Sequence, residues 1–180
     1  MGATISRLWT PEPIWVGLVG IQSAGKTAII YRLSGNNAPV TPSTDTVTST
    51  QVHQASQDFD LLDYTSDPRV RPAWRSFMTR VHAVVFVIDS ADRDTLPEAK
   101  TELSYLLKEI MLDHQPFLIF ANKQDNPRAM SAAELTEFLG IQQYLERDLK
   151  CFVQGSSAVT GDGLAEGLEW VRQAVRARQK

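Results

Sequence analysis

The chain has 180 residues, 43% hydrophobic and 22% charged, which suits a single domain with a substantial core. A formal net charge of -3 argues against nucleic-acid binding, which usually needs a basic surface. A single cysteine, Cys151, excludes an intramolecular disulfide and suits a reducing compartment; no apolar run approaches the ~20 residues of a membrane span, and a secretory leader is not expected.

Met1-Gly2-Ala3-Thr4-Ile5-Ser6 fits the N-myristoylation pattern, with Gly2 as the acceptor once the methionine is removed. Ile5, Leu8 and Trp9 share a helical face, and Pro11 and Pro13 stop any helix. Residues 1–13 therefore read as an amphipathic, acylated segment. One acyl chain binds a membrane only marginally, and Arg7 is the only basic residue before Pro13. The expectation is weak, reversible membrane contact by a cytoplasmic protein.

Ile14-Trp15-Val16-Gly17-Leu18-Val19 is short and apolar, as a buried strand is. Gly20-Ile21-Gln22-Ser23-Ala24-Gly25-Lys26-Thr27 follows and fits the phosphate-binding P-loop, G-x-x-x-x-G-K-[ST]. Thr27 to Leu33 then reads as a helix closed by Ser34-Gly35, completing the strand–loop–helix context that the motif requires. Glycines let several N–H groups converge on one anion, and the helix N-terminus adds its positive dipole end. The phosphate set is Gly20, Ser23, Ala24, Gly25, Lys26, Thr27 and Ala28, with Lys26 reaching the β- and γ-phosphates and Thr27 ligating Mg²⁺.

Residues 34–40 are turn-like, and Thr41 to Thr50 reads as a polar loop becoming an edge strand. Val52 to Leu62 reads as a hairpin turning near Gln57-Asp58, which puts Asp63 at a strand end. Trp74, Phe77 and Met78 lie at helical spacing and read as packing residues. Ala83 to Asp89 and Phe117 to Ala121 are buried-strand runs. Between them Leu96 to Leu112 has the apolar period of a long helix, its Glu98 and Glu102 reading as a solvated face. Ser131 with Glu134 has capping-box spacing for a helix to Leu139; Cys151 to Gln154 reads as a strand and Leu164 to Arg178 as a closing helix. His53, His82 and His114 lack metal spacing. Strands alternate with helices without a linker, which predicts a doubly wound α/β domain.

Asn122-Lys123-Gln124-Asp125, placed at a strand end, selects the nucleotide. Guanine presents N1–H and its 2-amino group as adjacent donors, which the Asp125 carboxylate can accept as a pair; adenine lacks that pair. Lys123 would lie along the base, Asn122 would tie loops together, and Ser157-Ala158 could present a backbone N–H to the guanine oxygen. The expected ligand is GTP or GDP.

With these motifs in place, the chain resembles the Ras-like small GTPases, most closely the Arf and Arf-like (ADP-ribosylation-factor) family. The resemblance rests on Gly2 with a short N-terminal helix, Ser23-Ala24-Gly25-Lys26-Thr27, Val70-Arg71-Pro72-Ala73-Trp74-Arg75, Asp89-Ser90-Ala91-Asp92-Arg93, Phe120-Ala121-Asn122-Lys123-Gln124-Asp125, Gly161-Asp162-Gly163-Leu164 and the lack of a C-terminal cysteine. It implies a P-loop α/β domain over residues 14–180, with a six-stranded, mostly parallel sheet flanked by helices. It also implies a monomeric GDP/GTP switch in membrane traffic or related signalling, read by effectors and exchange factors.

Two family motifs are altered. Where the family has Asp-x-x-Gly-Gln, this chain has Asp63-Tyr64-Thr65-Ser66-Asp67. Asp63 can hold Mg²⁺ through a water; Ser66 replaces the glycine whose N–H meets the γ-phosphate, and Asp67 replaces the glutamine that orients water. An Asp67 charge facing a triphosphate at about 6 Å would cost on the order of 3 kcal/mol, which should turn it outward. A gapless register places the first-switch Mg²⁺ threonine at Thr44, and a shift by one makes it Ser43. Three positions that effectors of the family touch become Val47, Leu62 and Phe77, only the last aromatic. Lys26 is then the catalytic residue that survives, with Asp67 an ineffective replacement. These residues imply guanine binding with crippled hydrolysis; the alternative is a pseudo-GTPase acting as a protein scaffold.

Overall fold

The computed structural model describes residues 12–35, 46–54, 56–110, 115–145 and 149–178. Gly2, Ser43, Thr44 and His114 lie outside them.

Six strands form one sheet: β1 Ile14–Val19, β2 Val47–Gln54, β3 Gln57–Tyr64, β4 Ala83–Asp89, β5 Phe117–Asn122 and β6 Cys151–Gly155. Their spatial order is β2-β3-β1-β4-β5-β6, antiparallel only between β2 and β3. The six-stranded, mostly parallel α/β sheet expected from the sequence is present. Among the described residues six α-helices accompany it: α1 Lys26–Leu33, α2 Trp74–Met78, α3 Leu96–Ile110, α4 Ala132–Leu139, α5 Gln142–Leu145 and α6 Leu164–Arg178.

β4 and β5 are buried almost throughout, as strands covered on both faces must be. Alternate residues of β4 serve opposite cores. Val84, Phe86 and Ile88 pack with Trp74, Leu103 and Leu107 on one face; Val85 and Val87 pack with Ile29, Phe120, Leu168 and Val171 on the other. Each large side chain so buried contributes roughly 1.5–3 kcal/mol. Gly167 of α6 permits close helix–sheet contact, since a Cβ there would sit 2.5 Å from the Phe120 ring. α4 starts with the expected capping box, in which the Glu134 N–H donates to Ser131 Oγ (3.2 Å) and the Ser131 N–H to Glu134 Oε2 (2.8 Å).

Two local expectations change. The hairpin turns between Gln54 and Gln57, two residues earlier than its polarity suggested. Gln57 reads as a turn residue, yet it is buried and its amide donates to the Glu12 carbonyl at 2.9 Å, so it belongs to the strand. α5 was not anticipated, because four residues are too few to show a helical period.

Parallel pairing gathers the C-terminal strand ends along one edge. Leu18 of β1 is level with Asp63, Asp89 with Asn122, and Ala121 with Gly155. The loops after β1, β3, β4, β5 and β6 therefore meet there, the edge at which open α/β sheets bind ligands.

Candidate nucleotide site

The phosphate loop leaves β1 through Gly20 at φ +149°, where a Cβ would collide with the Val87 carbonyl. Ser23 lies in the left-handed region (φ 63°), and Gly25 (φ +101°) caps α1. A Cβ on Gly25 would strike the Asn122 amide. The two glycines thus permit a close approach of backbone that any other residue would block. The first N–H groups of α1, those of Lys26, Thr27 and Ala28, have no carbonyl within the helix to meet, which leaves a positive end at the loop.

Lys26 is buried, and burial pushes its ammonium below the usual lysine range against the raising charge of Asp63. Its Nζ donates to the Gly20 carbonyl at 3.2 Å and to Ser66 Oγ. Thr27 Oγ1 donates to Asp63 Oδ2 at 2.6 Å. That pairing brings a hydroxyl and a carboxylate together beside the loop, the hard oxygen donors that suit Mg²⁺. The tight glycine cradle and the buried ammonium likewise fit a phosphate.

At the other end of the crevice, Asn122 joins two loops: its Nδ2 donates to the Ala24 carbonyl (2.9 Å) and its Oδ1 accepts from the Ala158 N–H (3.2 Å). By sequence, Ser157-Ala158 could present a backbone N–H to the guanine oxygen; here the Ala158 N–H meets Asn122 and the Ser157 N–H donates to the Asp162 carbonyl at 3.0 Å. Asp125 is exposed, with Oδ1 accepting from Ser157 Oγ at 2.6 Å. Lys123 (φ 68°) donates to Asp89 Oδ2 at 2.6 Å. Gln124 braces the loop, its Nε2 donating to Ser90 Oγ (2.9 Å) and the Met130 carbonyl (2.7 Å). Asp89, Ser90 and Gln124 are supports that the sequence did not mark individually.

The segment after β3 is the unusual part. Asp67 is gripped by Arg69, whose Nε lies 3.0 and 3.1 Å from its two oxygens, whose Nη2 lies 2.5 Å away, and whose own N–H donates at 2.9 Å. The Arg69 side chain first, then that N–H, hold the Asp67 carboxyl at about 2. Arg71 is buried and donates to Glu98 (2.6 Å), to Glu102 (3.1 Å) and to the Ser66 carbonyl (3.0 Å). Glu98 is exposed, as expected of a solvated face, and Glu102 is half-buried, but both also pair with a buried cation. That reading counted only positions along α3 and could not see Arg71 arriving from another element. The Trp74 indole donates to the Thr65 carbonyl at 3.1 Å, and Phe77 stacks on Tyr64 with ring centroids 5.1 Å apart. Val47 is exposed and Leu62 half-buried.

The histidines play other parts: His53 pairs with Asp58 across the hairpin at 2.7 Å, and His82 Nδ1 accepts from the Trp15 N–H at 3.0 Å. Among the described residues no group of three or more His, Cys, Asp or Glu could hold a metal, and no helix is long and apolar enough to cross a membrane.

The ADP-ribosylation factor (Arf) family model matches residues 5–175. The chain belongs to the Arf family. A solved relative is the Arl6 (BBS3) small GTPase of Trypanosoma brucei, determined with a bound nucleotide analogue, GppNp. It is 29% identical, with a TM-score of 0.80, and the match covers 93% of this chain and 99% of that one. This Arf-family chain is accordingly a small GTPase of the nucleotide-binding switch class. Its strand ends form the crevice described above, and the two altered residues of the motif after β3, Ser66 and Asp67, lie at its γ-phosphate end.

Proposed function

We propose that this Arf-family switch retains guanine-nucleotide binding and hydrolyses GTP poorly. The observation that carries the reading is the Asp67–Arg69 fork. Hydrolysis is in-line attack of water on the γ-phosphate, and catalysis is mostly positioning plus charge stabilisation. Asp67 stands where the family orients that water. Its oxygens are occupied by Arg69, and a carboxyl held at about 2 is a weak base at neutral pH. The fork also sets a positive charge against Asp67, which lessens the repulsion that its charge alone would impose on a triphosphate.

In this reading Gly20, Ser23, Ala24, Gly25 and Ala28 shape the phosphate loop, Lys26 stabilises charge on the phosphates, and Asn122, Lys123, Asp125, Ser157 and Ala158 select guanine. Thr27 and Asp63, with Thr44, would hold Mg²⁺, which when bound neutralises charge across the β- and γ-phosphates. An acylated Gly2 would add weak, reversible membrane contact, consistent with a peripheral role in membrane traffic.

The scaffold alternative draws support from one feature: Lys26 and Thr27 are already satisfied by Ser66 and Asp63 of the same chain. Single-turnover hydrolysis separates the readings. Wild type should bind guanine nucleotide and turn GTP over slowly, and the Ser66→Gly, Asp67→Gln double variant should hydrolyse it at least tenfold faster. Wild-type turnover at ordinary small-GTPase rates would defeat the proposal, no gain in the double variant would move the defect to the first switch, and failure to bind any guanine nucleotide would favour the scaffold.

A further inference from the structure

We infer that the Ser66 hydroxyl is an internal stand-in for a γ-phosphate oxygen on Lys26, and that it biases the site toward the diphosphate over the triphosphate. The inference rests on the guanine-binding reading above and names what regulates that site.

The P-loop lysine normally reaches the β- and γ-phosphates. An ammonium has three N–H donors. In this structure Lys26 gives one to the Gly20 carbonyl at 3.2 Å and one to Ser66 Oγ, which leaves one. One remaining donor serves a β-phosphate. A γ-phosphate oxygen needs the place that the hydroxyl holds, so the triphosphate must evict Ser66 and the diphosphate need not.

Ser66 is held in place on both sides of its side chain. Its own carbonyl accepts from Arg71 Nε at 3.0 Å, and Arg71 is tied to Glu98 and Glu102 on α3. Just upstream, the Thr65 N–H donates to the Thr46 carbonyl (3.1 Å) and the Thr65 carbonyl accepts from the Trp74 indole (3.1 Å). Eviction therefore has to turn the Ser66 side chain to another rotamer on a backbone that Thr46, α2 and Arg71 hold in place. Lys26 is only 7% exposed, so water cannot freely replace the lost partner during the exchange. A glycine at this position would offer Lys26 no side-chain oxygen. Asp67 is paired with Arg69 at 2.5 Å, and the Ser66 variants below leave that pair in place, so they read the hydroxyl alone.

A hydrogen bond to a charged group is worth enough to shift relative affinity by about ten- to a hundredfold. The test is isothermal titration of the full chain in Mg²⁺ with GDP and with a non-hydrolysable GTP analogue. Wild type, Ser66→Ala and Ser66→Thr are compared, with thermal melts to establish folding. Wild type should favour GDP by at least tenfold. Ser66→Ala should raise affinity for the analogue about ten- to a hundredfold with little change for GDP, and Ser66→Thr, which keeps a hydroxyl, should keep the preference. An unchanged preference in Ser66→Ala, or equal binding of the two ligands by wild type, would overturn this inference and leave guanine binding standing. A folded wild type that binds neither ligand would overturn both.

Discussion

Asn122 and Asp125 at the base end of the crevice are braced by groups that leave their recognition chemistry in place, whereas Lys26 and Asp67 at the γ-phosphate end are braced by groups that consume it. Asn122 links the phosphate loop to the loop after β6, and Ser157 fixes only one oxygen of Asp125. Across the crevice, Arg69 takes both oxygens of Asp67 and Ser66 takes a donor of Lys26. The same device, a polar side chain satisfied by a neighbour, preorganises one end and disarms the other. Satisfaction of a polar group is therefore not itself a sign of function; what matters is whether a free donor or acceptor remains for the ligand.

The contrast can be broken most severely at the base end. Asp125→Ala should lower guanine-nucleotide affinity about a thousandfold or more, since a site built on paired donors discriminates by such factors, and equilibrium titration with GDP measures it. Gly25→Ala should come next. Its Cβ would strike the Asn122 amide at a φ of +101°, and strain of about 1–3 kcal/mol should cost up to a hundredfold in GDP affinity. A control outside both ends is Gly167→Ala, where the Phe120 ring must move; calorimetry or chemical unfolding should show about 1–3 kcal/mol of lost stability with nucleotide selectivity unchanged.

The smallest effect sharpens the other end. With its carboxyl held at about 2 instead of the ordinary 3.8, Asp67 contributes stability that is present above about pH 4 and is lost as pH falls through about 2. Arg69→Ala should remove the side-chain part of that contribution, so the variant's melting temperature should fall less steeply than wild type's over this window. Carboxyl NMR should show the Asp67 midpoint rising from about 2 toward the ordinary 3.8 without reaching it, since the N–H of residue 69 remains, and a midpoint still near 2 would mean that the Arg69 side chain is not its main cause.

How much of this was legible in the sequence follows from range. β1, β4 and α6 match their expected bounds because an apolar run or a helical period is a local signal. The glycines and polar residues of the phosphate loop were equally plain, since their spacing carries the motif. Ser66 and Asp67 were visible as departures, but their partners were not. The Lys26–Ser66 bond spans forty residues, and Arg71 meets glutamates twenty-seven and thirty-one residues away. Asp67 and Arg69 are only two apart, so opposite charges at that spacing were the one available hint. Gln57 misled for a related reason: a polar residue reads as exposed until the backbone carbonyl that buries it is known.

The most direct test of the central claim is to denature protein purified in Mg²⁺ and identify the nucleotide that it releases by chromatography. An intact base end with a self-occupied γ-phosphate position predicts GDP at about one equivalent per chain. An empty site that also ignores added GDP would contradict guanine binding, and a site filled with GTP would contradict the part assigned to Ser66.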